Sequence, residues 1–435
     1  MLADTSMSEA GAVEFGELRI DGARLMRRLD ELAEIGAIEG TPGCARLALT
    51  DEDAAGRDLV TTWMRDLGLT VIVDAIGNTI GVLGGDSVDG AVLTGSHIDT
   101  VATGGRFDGN LGVLAGLEVL ETVINHGLRP VRPLAVGFFT NEEGARFAPD
   151  MLGSLVYAGG LALEQALQSV AIDGAVLGDE LDRIGWRGTA PVPGIAPYAF
   201  VECHIEQGPV LETEGITIGA VTGVQGISWT KLILDGQSNH AGTTPMSHRR
   251  DAGYVAARIA AFVRDIVNGV GPPQVGTVGR IELHPNLVNV VAARATMTVD
   301  VRNTDDAVLS EVEGRIVEFA AKAAADEGVD LESEVLARFA PVVFDPVVID
   351  LVEHIAERFG HSTMRLPAGA GHDAQMLARM CQAGMVFVPS VNGISHNPQE
   401  HTEPADIEAG VNVLLHTMLH LSRRDGGQAT KSVRT

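Results

Sequence analysis

The stretch TGSHIDTVATGGRFDGNLG, residues 94–112, sets His97, Asp99 and Asp108 close together among glycines. An imidazole and carboxylates at such short spacing can grip a divalent cation, although a surface loop can also carry them without chemistry. On an extended strand, positions i and i+2 point the same way. Asp99 can then accept the second imidazole N–H of His97 and fix its tautomer, as groups behind metal-bound histidines do. In TNEEG, Glu142 and Glu143 close the apolar run LAVGFFT. Adjacent carboxylates delivered from a core are costly unless a cation or a proton intervenes. CHIEQG adds His204 with Glu206 and Gln207, and SVNGISHNPQEHT adds His396. His97, Asp108 and His204 can hold one divalent ion. Asp108, Glu143 and His396 can hold a second, with Asp108 shared. Such N/O donors suit Zn, Mn, Co or Ni. Two ions about 3.5–4 Å apart polarise a carbonyl and acidify a shared water. Glu142, left unligated, is then free to act as general base and pass the proton to a leaving nitrogen.

Elements must bring these residues together. AVLTGSHID, PLAVGFFTNEE, YAFVECHIEQG and AGMVFVPSV are short apolar runs that predict buried strands, each with its polar cluster at or just past the C-terminal end. GNLGVLAGLEVLETVINHG predicts a long helix between the first two. Strand, helix, strand at this spacing indicates an α/β fold with a mostly parallel central sheet, and such sheets bind ligands at the carboxyl ends of their strands. Upstream, TDEDAAGRDLVTTWMRDLG opens with Thr50 and Asp53 in the pattern of a capping box. The pattern changes near Gly223. ISWTKLILDGQ, DAGYVAARIAAFVRDIVNGV, TVGRIELHP, RATMTVDVRN, DDAVLSEVEGRIVEFAAKAAADEG and LESEVLARF read as βαββαβ, a ferredoxin-like sandwich. The expected organisation is a catalytic domain over 1–222 and 340–435, interrupted by an insert over 223–339.

Composition narrows the function. The formal net charge of −27 repels nucleic acid and anionic membranes, so neither is an expected partner. The three cysteines, Cys44, Cys203 and Cys381, lie far apart and form neither a disulfide framework nor a zinc-finger spacing. Cys203 falls on a buried strand and reads as core. The first twenty residues lack a basic or apolar leader, no apolar run is long enough to span a bilayer, and the C-terminal tail is polar. A cytoplasmic protein is expected.

The motifs GSHIDTVATGGRFDG, TNEEGARF, HIEQGPVLE, GQSNHAGTTPM, VDVRN, GAGHDAQ and SHNPQEHT follow one another along nearly the whole chain. Together they resemble the M20 metallopeptidase superfamily, and within it the amidase, hydantoinase and carbamoylase branch. The resemblance implies a di-metal catalytic domain with an inserted lid that forms a homodimer, the lid histidine acting across that interface. It carries the ligand roles to His97, Asp108, Glu143, His204 and His396, and the base role to Glu142. It implies that Arg302 reads a substrate carboxylate with its guanidinium fork, helped by Asn289, and that Gln207 meets the amide or ureido end. It makes His240 the stabiliser of the oxyanion, and lets the backbone at Gly369, Ala370 and Gly371 approach substrate, with His372 bracing the site. Without that resemblance, Arg302 is a strand-end arginine and His240 a turn histidine. In related peptidases the position of His204 is usually a carboxylate, so the histidine favours carbamoyl amides over dipeptides. The expected activity is hydrolysis of N-carbamoyl-L-amino acids to ammonia, carbon dioxide and the amino acid. Allantoate or N-carbamoyl-β-alanine are the alternative substrates. A dipeptidase, an aminoacylase or a metal-free binding protein on the same scaffold is disfavoured, since a pure binder has no use for the spare Glu142.

Overall fold

A computed structural model describes residues 18–423. The N-terminal stretch and the polar tail noted above lie almost wholly outside the described residues. The strands, in chain order, are β1 (Thr70–Val73), β2 (Thr79–Leu83), β3 (Val92–His97), β4 (Leu134–Phe139), β5 (Ala199–Ile205) and β6 (Ile218–Val224). They continue with β7 (Gly226–Asp235), β8 (Val275–His284), β9 (Arg294–Asn303), β10 (Asp330–Phe339), β11 (Val342–Val343), β12 (Thr363–Ala368) and β13 (Gln382–Val388). The chain divides into two compact units, 1–221 with 345–365 and 372–435, and 222–344 with 366–371.

In the first unit the sheet runs β1-β2-β4-β3-β5-β13-β6. The central strands β4, β3, β5 and β13 are parallel, while β1, β2 and β6 add antiparallel edges. β3, β4 and β5 are buried throughout, which explains their continuous apolar runs. The helix Asn110–Asn125 is buried on nearly every side, so its sequence is apolar all round rather than amphipathic. Because the four central strands share one direction, their C-terminal ends line one edge. His97, the Glu142–Glu143 turn, the Ile205–Gln207 turn and the loop bearing His396 all follow those ends. At the start of the helix Asp51–Asp66, the Thr50 hydroxyl accepts the Asp53 N–H at 3.3 Å. The return bond of the expected capping box goes one residue back, from the Leu49 N–H to the Asp53 carboxylate at 2.7 Å.

In the second unit the antiparallel sheet has the order β10-β7-β9-β8. The helices Ala252–Val270 and Asp306–Glu327 pack on it, burying Leu232, Leu234, Ile259, Val263, Met297 and Ile316. Asp251 and Asp305 cap the two helices through their side chains. β8 is an edge strand, and it and the turn after it expose Ile281, Leu283, Leu287 and Val288. Among the described residues, no helix is long and apolar enough to cross a membrane.

Candidate active site

The first unit gathers a histidine–carboxylate centre around Asp108. His97 closes β3, and its Nδ1 lies 2.8 Å from the carbonyl of Asp99. His204 sits on β5, and its Nδ1 lies 2.9 Å from the carbonyl of Ile205. A ring nitrogen beside a carbonyl carries a proton, so each imidazole turns its Nε2 inward, and that of His204 also lies 3.1 Å from the Gly109 N–H. Those Nε2 atoms lie 3.7 Å (His97) and 3.2 Å (His204) from Asp108 Oδ1. The other oxygen, Oδ2, lies 3.3 Å from His396 Nε2, which is itself 3.1 Å from Glu143 Oε2. Each oxygen of one carboxylate thus faces its own pair of donors. His97, Asp108 and His204 are buried, whereas His396 is exposed. Glu142 turns to the other side, with Oε2 3.3 Å from His97 Nε2.

Asp99 departs from the expected geometry. Its backbone carbonyl, not its carboxylate, takes the His97 N–H. β3 ends at His97, so the alternation that would align residues 97 and 99 does not extend that far. The Asp99 carboxylate instead accepts the backbone N–H groups of Glu142 and Glu143, both at 3.3 Å, and braces the acidic pair. Gln207 donates from Nε2 to Asp108 Oδ2 at 2.8 Å, and its Oε1 is buried without a partner among the described residues. Asn141, Gln207 and His396 all hold positive φ, at 56°, 58° and 53°. Such conformations in non-glycine residues persist where the surroundings impose them, and these three adjoin the centre. Gly109, at φ +66°, is required, since a Cβ there would stand 2.3 Å from the His97 ring.

Glu400 and Glu202 are buried carboxylates that the sequence reading did not single out. Glu400 accepts the N–H groups of Phe107 and Asp108 at 3.0 and 3.1 Å, and its Oε2 lies 2.9 Å from the Ser395 hydroxyl. Glu202 accepts the Ser96 hydroxyl at 2.6 Å and the Ala374 N–H at 2.8 Å. Both stand inside quoted motifs. Glu202, two residues before His204 on one strand face, carried a usable signal. His372 packs its ring 4.5 Å from that of His204, consistent with a bracing role, but its buried Nε2 has no partner among the described residues. Glu202, His204 and His372 form a third group whose donors converge.

The electrostatics ask for a cation. Burial pushes the Glu142 carboxyl well above its usual range, and Asp373, Glu143, Asp108 and Asp99 push the same way. Burial also opposes charge on Asp108, but hydrogen bonds from His204 and His396 outweigh it and hold that carboxyl well below its ordinary value. Burial disfavours a charged His97, yet Asp99, Glu143 and Asp108 together raise it to about 9. Hydrogen bonds to Asp108 and Glu143 raise His396 to about 11. The carboxylates therefore draw protons onto imidazoles placed as ligands, and a divalent cation would do the work of those protons. The donor set, the inward-facing Nε2 atoms and the shared carboxylate fit such an ion.

The remaining expected residues lie in the second unit. His240 is exposed, and its Nδ1 accepts the N–H groups of Gly242 and Thr243 at 3.0 and 3.3 Å, so the ring proton sits on Nε2. The Asn289 carbonyl accepts the Ala241 N–H at 2.9 Å, which puts Asn289 beside His240. Arg302 is held by Asp300, through Nη2 at 2.9 Å and Nε at 3.2 Å, and donates from Nη1 to the Gly369 carbonyl at 2.7 Å. The loop of Gly369, Ala370 and Gly371 thus adjoins Arg302.

The peptidase family M20/M25/M40 matches this chain over residues 93–420. The chain belongs to that family. Among M20 relatives, the N-carbamoyl-L-amino-acid amidohydrolase of Rhizobium meliloti is 42% identical, covering 92% of this chain and 96% of its own. The ureidoglycolate hydrolase of Arabidopsis thaliana is 34% identical over 93% of this chain and 87% of its own. The crystal structure of an amidase of the hydantoinase/carbamoylase family from Burkholderia multivorans superposes with a TM-score of 0.89 at 46% identity, covering 93% of this chain and 98% of that one. The M20 chain is accordingly a hydrolase of amide-type C–N bonds, with a mostly parallel sheet at its centre and a second, antiparallel sheet.

Proposed function

We propose that this M20 protein is a two-metal amidohydrolase of N-carbamoyl-L-amino acids. The observation that carries the reading is Asp108, whose oxygens face His97 with His204 on one side and His396 with Glu143 on the other. Two divalent ions held by these residues, Zn, Mn, Co or Ni, would polarise the scissile carbonyl and acidify a shared water. Glu142 accepts the water's proton and returns it to the leaving nitrogen. His240 offers its Nε2–H to the developing oxyanion. Arg302, held in place by Asp300 and Gly369, reads the carboxylate together with Asn289 and the backbone at Gly371, and Gln207 turns its open Oε1 to the ureido N–H. Water addition to the carbamoyl carbon breaks one C–N bond, and the carbamic acid so formed loses carbon dioxide, so that the products are the amino acid, ammonia and carbon dioxide. The resemblance to ureidoglycolate hydrolases supports a second reading, in which allantoate or a related ureido acid is the substrate. The second unit is proposed as a lid and a homodimer contact. The free cysteines among the described residues favour the cytoplasm.

Ammonia release from a panel of N-carbamoyl-L-amino acids, N-carbamoyl-β-alanine, allantoate and dipeptides decides between these substrates. Hydrolysis confined to dipeptides would overturn the carbamoyl reading. Dialysis against a chelator should abolish turnover and a divalent metal should restore it, and full activity in protein shown to be metal-free would refute the mechanism. Arg302→Lys keeps the charge but loses the bidentate fork. Its KM for carboxylate substrates should rise about 10-fold or more, the order expected for a lost charge-assisted hydrogen bond. The corresponding substrate carboxamide should be affected much less, and an equal loss for both would assign Arg302 a structural role.

A further inference from the structure

Arg46 is completely buried. Its Nε donates to the carbonyl of Ile98 at 2.8 Å, and Nη1 donates to the carbonyls of Leu32 at 2.9 Å and Ile35 at 2.7 Å. Nη2 donates to Asn110 Oδ1 at 2.7 Å, and the thiol sulfur of Cys44 lies 3.4 Å from Nη1. The backbone adds a two-way pairing, from the Arg46 N–H to Thr100 Oγ1 at 2.7 Å and from the Thr100 N–H to the Arg46 carbonyl at 2.9 Å. The acceptors of the guanidinium are carbonyls, an amide oxygen and a thiol sulfur, all neutral. A permanent cation withdrawn from water onto neutral acceptors is expensive, and an apolar side chain of similar volume would fill the space without that cost.

What the guanidinium joins explains its presence. Ile98 lies between His97 and Asp99, and Asn110 opens the helix two residues after Asp108. One rigid plane therefore ties together, from behind, the two loops that present His97 and Asp108. The chain also makes room for it. Gly56 lies inside the helix Asp51–Asp66, and a Cβ there would stand 2.9 Å from Arg46 Cδ and 3.2 Å from Nε. Glycine is a poor residue for a helix interior, so its use here is accounted for by the arginine stem passing over it.

We propose that Arg46 is a positioning residue for the centre. Its guanidinium fixes the separation of the His97 and Asp108 loops. It touches no reacting atom. The proposal rests on the reading that His97, Asp108 and His204 hold a metal ion.

The test compares Arg46→Lys, Asn110→Ala and Gly56→Ala with wild type. Arg46→Lys keeps the charge and loses the planar fork, Asn110→Ala removes the tie to Asp108's loop, and Gly56→Ala displaces the stem with every charge intact. Zn²⁺ affinity is measured by competition with a chromogenic chelator, alongside thermal unfolding of the metal-free proteins and kcat and KM in excess metal. Each folded variant should bind Zn²⁺ roughly 10–100-fold more weakly, the usual cost of losing a group behind a metal ligand. Excess metal should recover most of kcat while KM stays near wild type. Folded variants that keep wild-type Zn²⁺ affinity and lose only thermal stability would overturn the proposal. If Arg46→Lys does not fold, Asn110→Ala and Gly56→Ala decide by the same criterion. A wild-type chain that binds no Zn²⁺ would overturn the metal-centre reading, and the positioning role with it.

Discussion

Glu142→Gln should lower kcat by roughly 10²–10⁴-fold, the range typical for loss of a general base, while bound metal stays at the wild-type level. The amide keeps the size of the carboxylate but cannot take a proton. Glu142 is suited to proton transfer by its place. It is buried, and it reaches His97 at 3.3 Å. Its carboxyl is pushed above the usual range by burial and by Asp373, Glu143, Asp108 and Asp99, which makes it a better proton acceptor once cations offset part of that field. Glu143→Gln should do the opposite. Glu143 faces His396 at 3.1 Å on the Oδ2 side of Asp108, so its loss should empty one ion from the centre. Metal per subunit after dialysis, read by atomic emission, separates the two variants. Metal loss in Glu142→Gln with full retention in Glu143→Gln would reverse the proposed roles.

The parts of this centre that were legible in sequence are those whose signal is local. Apolar runs predicted β3, β4, β5 and β13, and the polar residues at their ends became neighbours because parallel strands align those ends. The βαββαβ order of the insert was equally local, since alternation and helical period change over within each segment. The β1–β2 hairpin was not foreseen. Its turn is made by the Asp74 carboxylate accepting the N–H groups of Ile76 and Asn78, with Gly77 at φ +86°, and the four-residue β1 is too short to show a period. The braces were hidden for a different reason. Glu400 reaches Phe107 and Asp108, and fully buried Arg57 reaches the Gly77 carbonyl and the Thr140 hydroxyl just before the acidic pair. Hydrogen bonds between residues so far apart leave no spacing to read. The brace placed on Asp99 failed because strand alternation was carried past the end of the strand.

His240→Ala should cost about 10²–10³-fold in kcat, the scale of removing one oxyanion donor, and activity should return when these subunits are mixed with Glu142→Gln subunits. The centre in the first unit carries the proposed metal ligands and base, but the expected oxyanion donor is carried by the second. There His240 holds its ring proton on an exposed Nε2, because Nδ1 is occupied by two backbone N–H groups. Beside its neighbour Asn289, Leu287 and Val288 are exposed, and β8 leaves a free edge with Ile281 and Leu283 uncovered. An apolar edge strand of this kind calls for a cover, and in the proposed two-fold dimer a second copy of the chain would supply it. If each site borrows His240 from its mate, a mixed dimer holds one doubly defective site and one intact site. Equal, random exchange makes half the dimers mixed, so the preparation should reach roughly a quarter of wild-type activity. Subunit exchange is verified independently with differently tagged chains. Proven exchange without recovery would place His240 at the site of its own chain, or outside catalysis altogether.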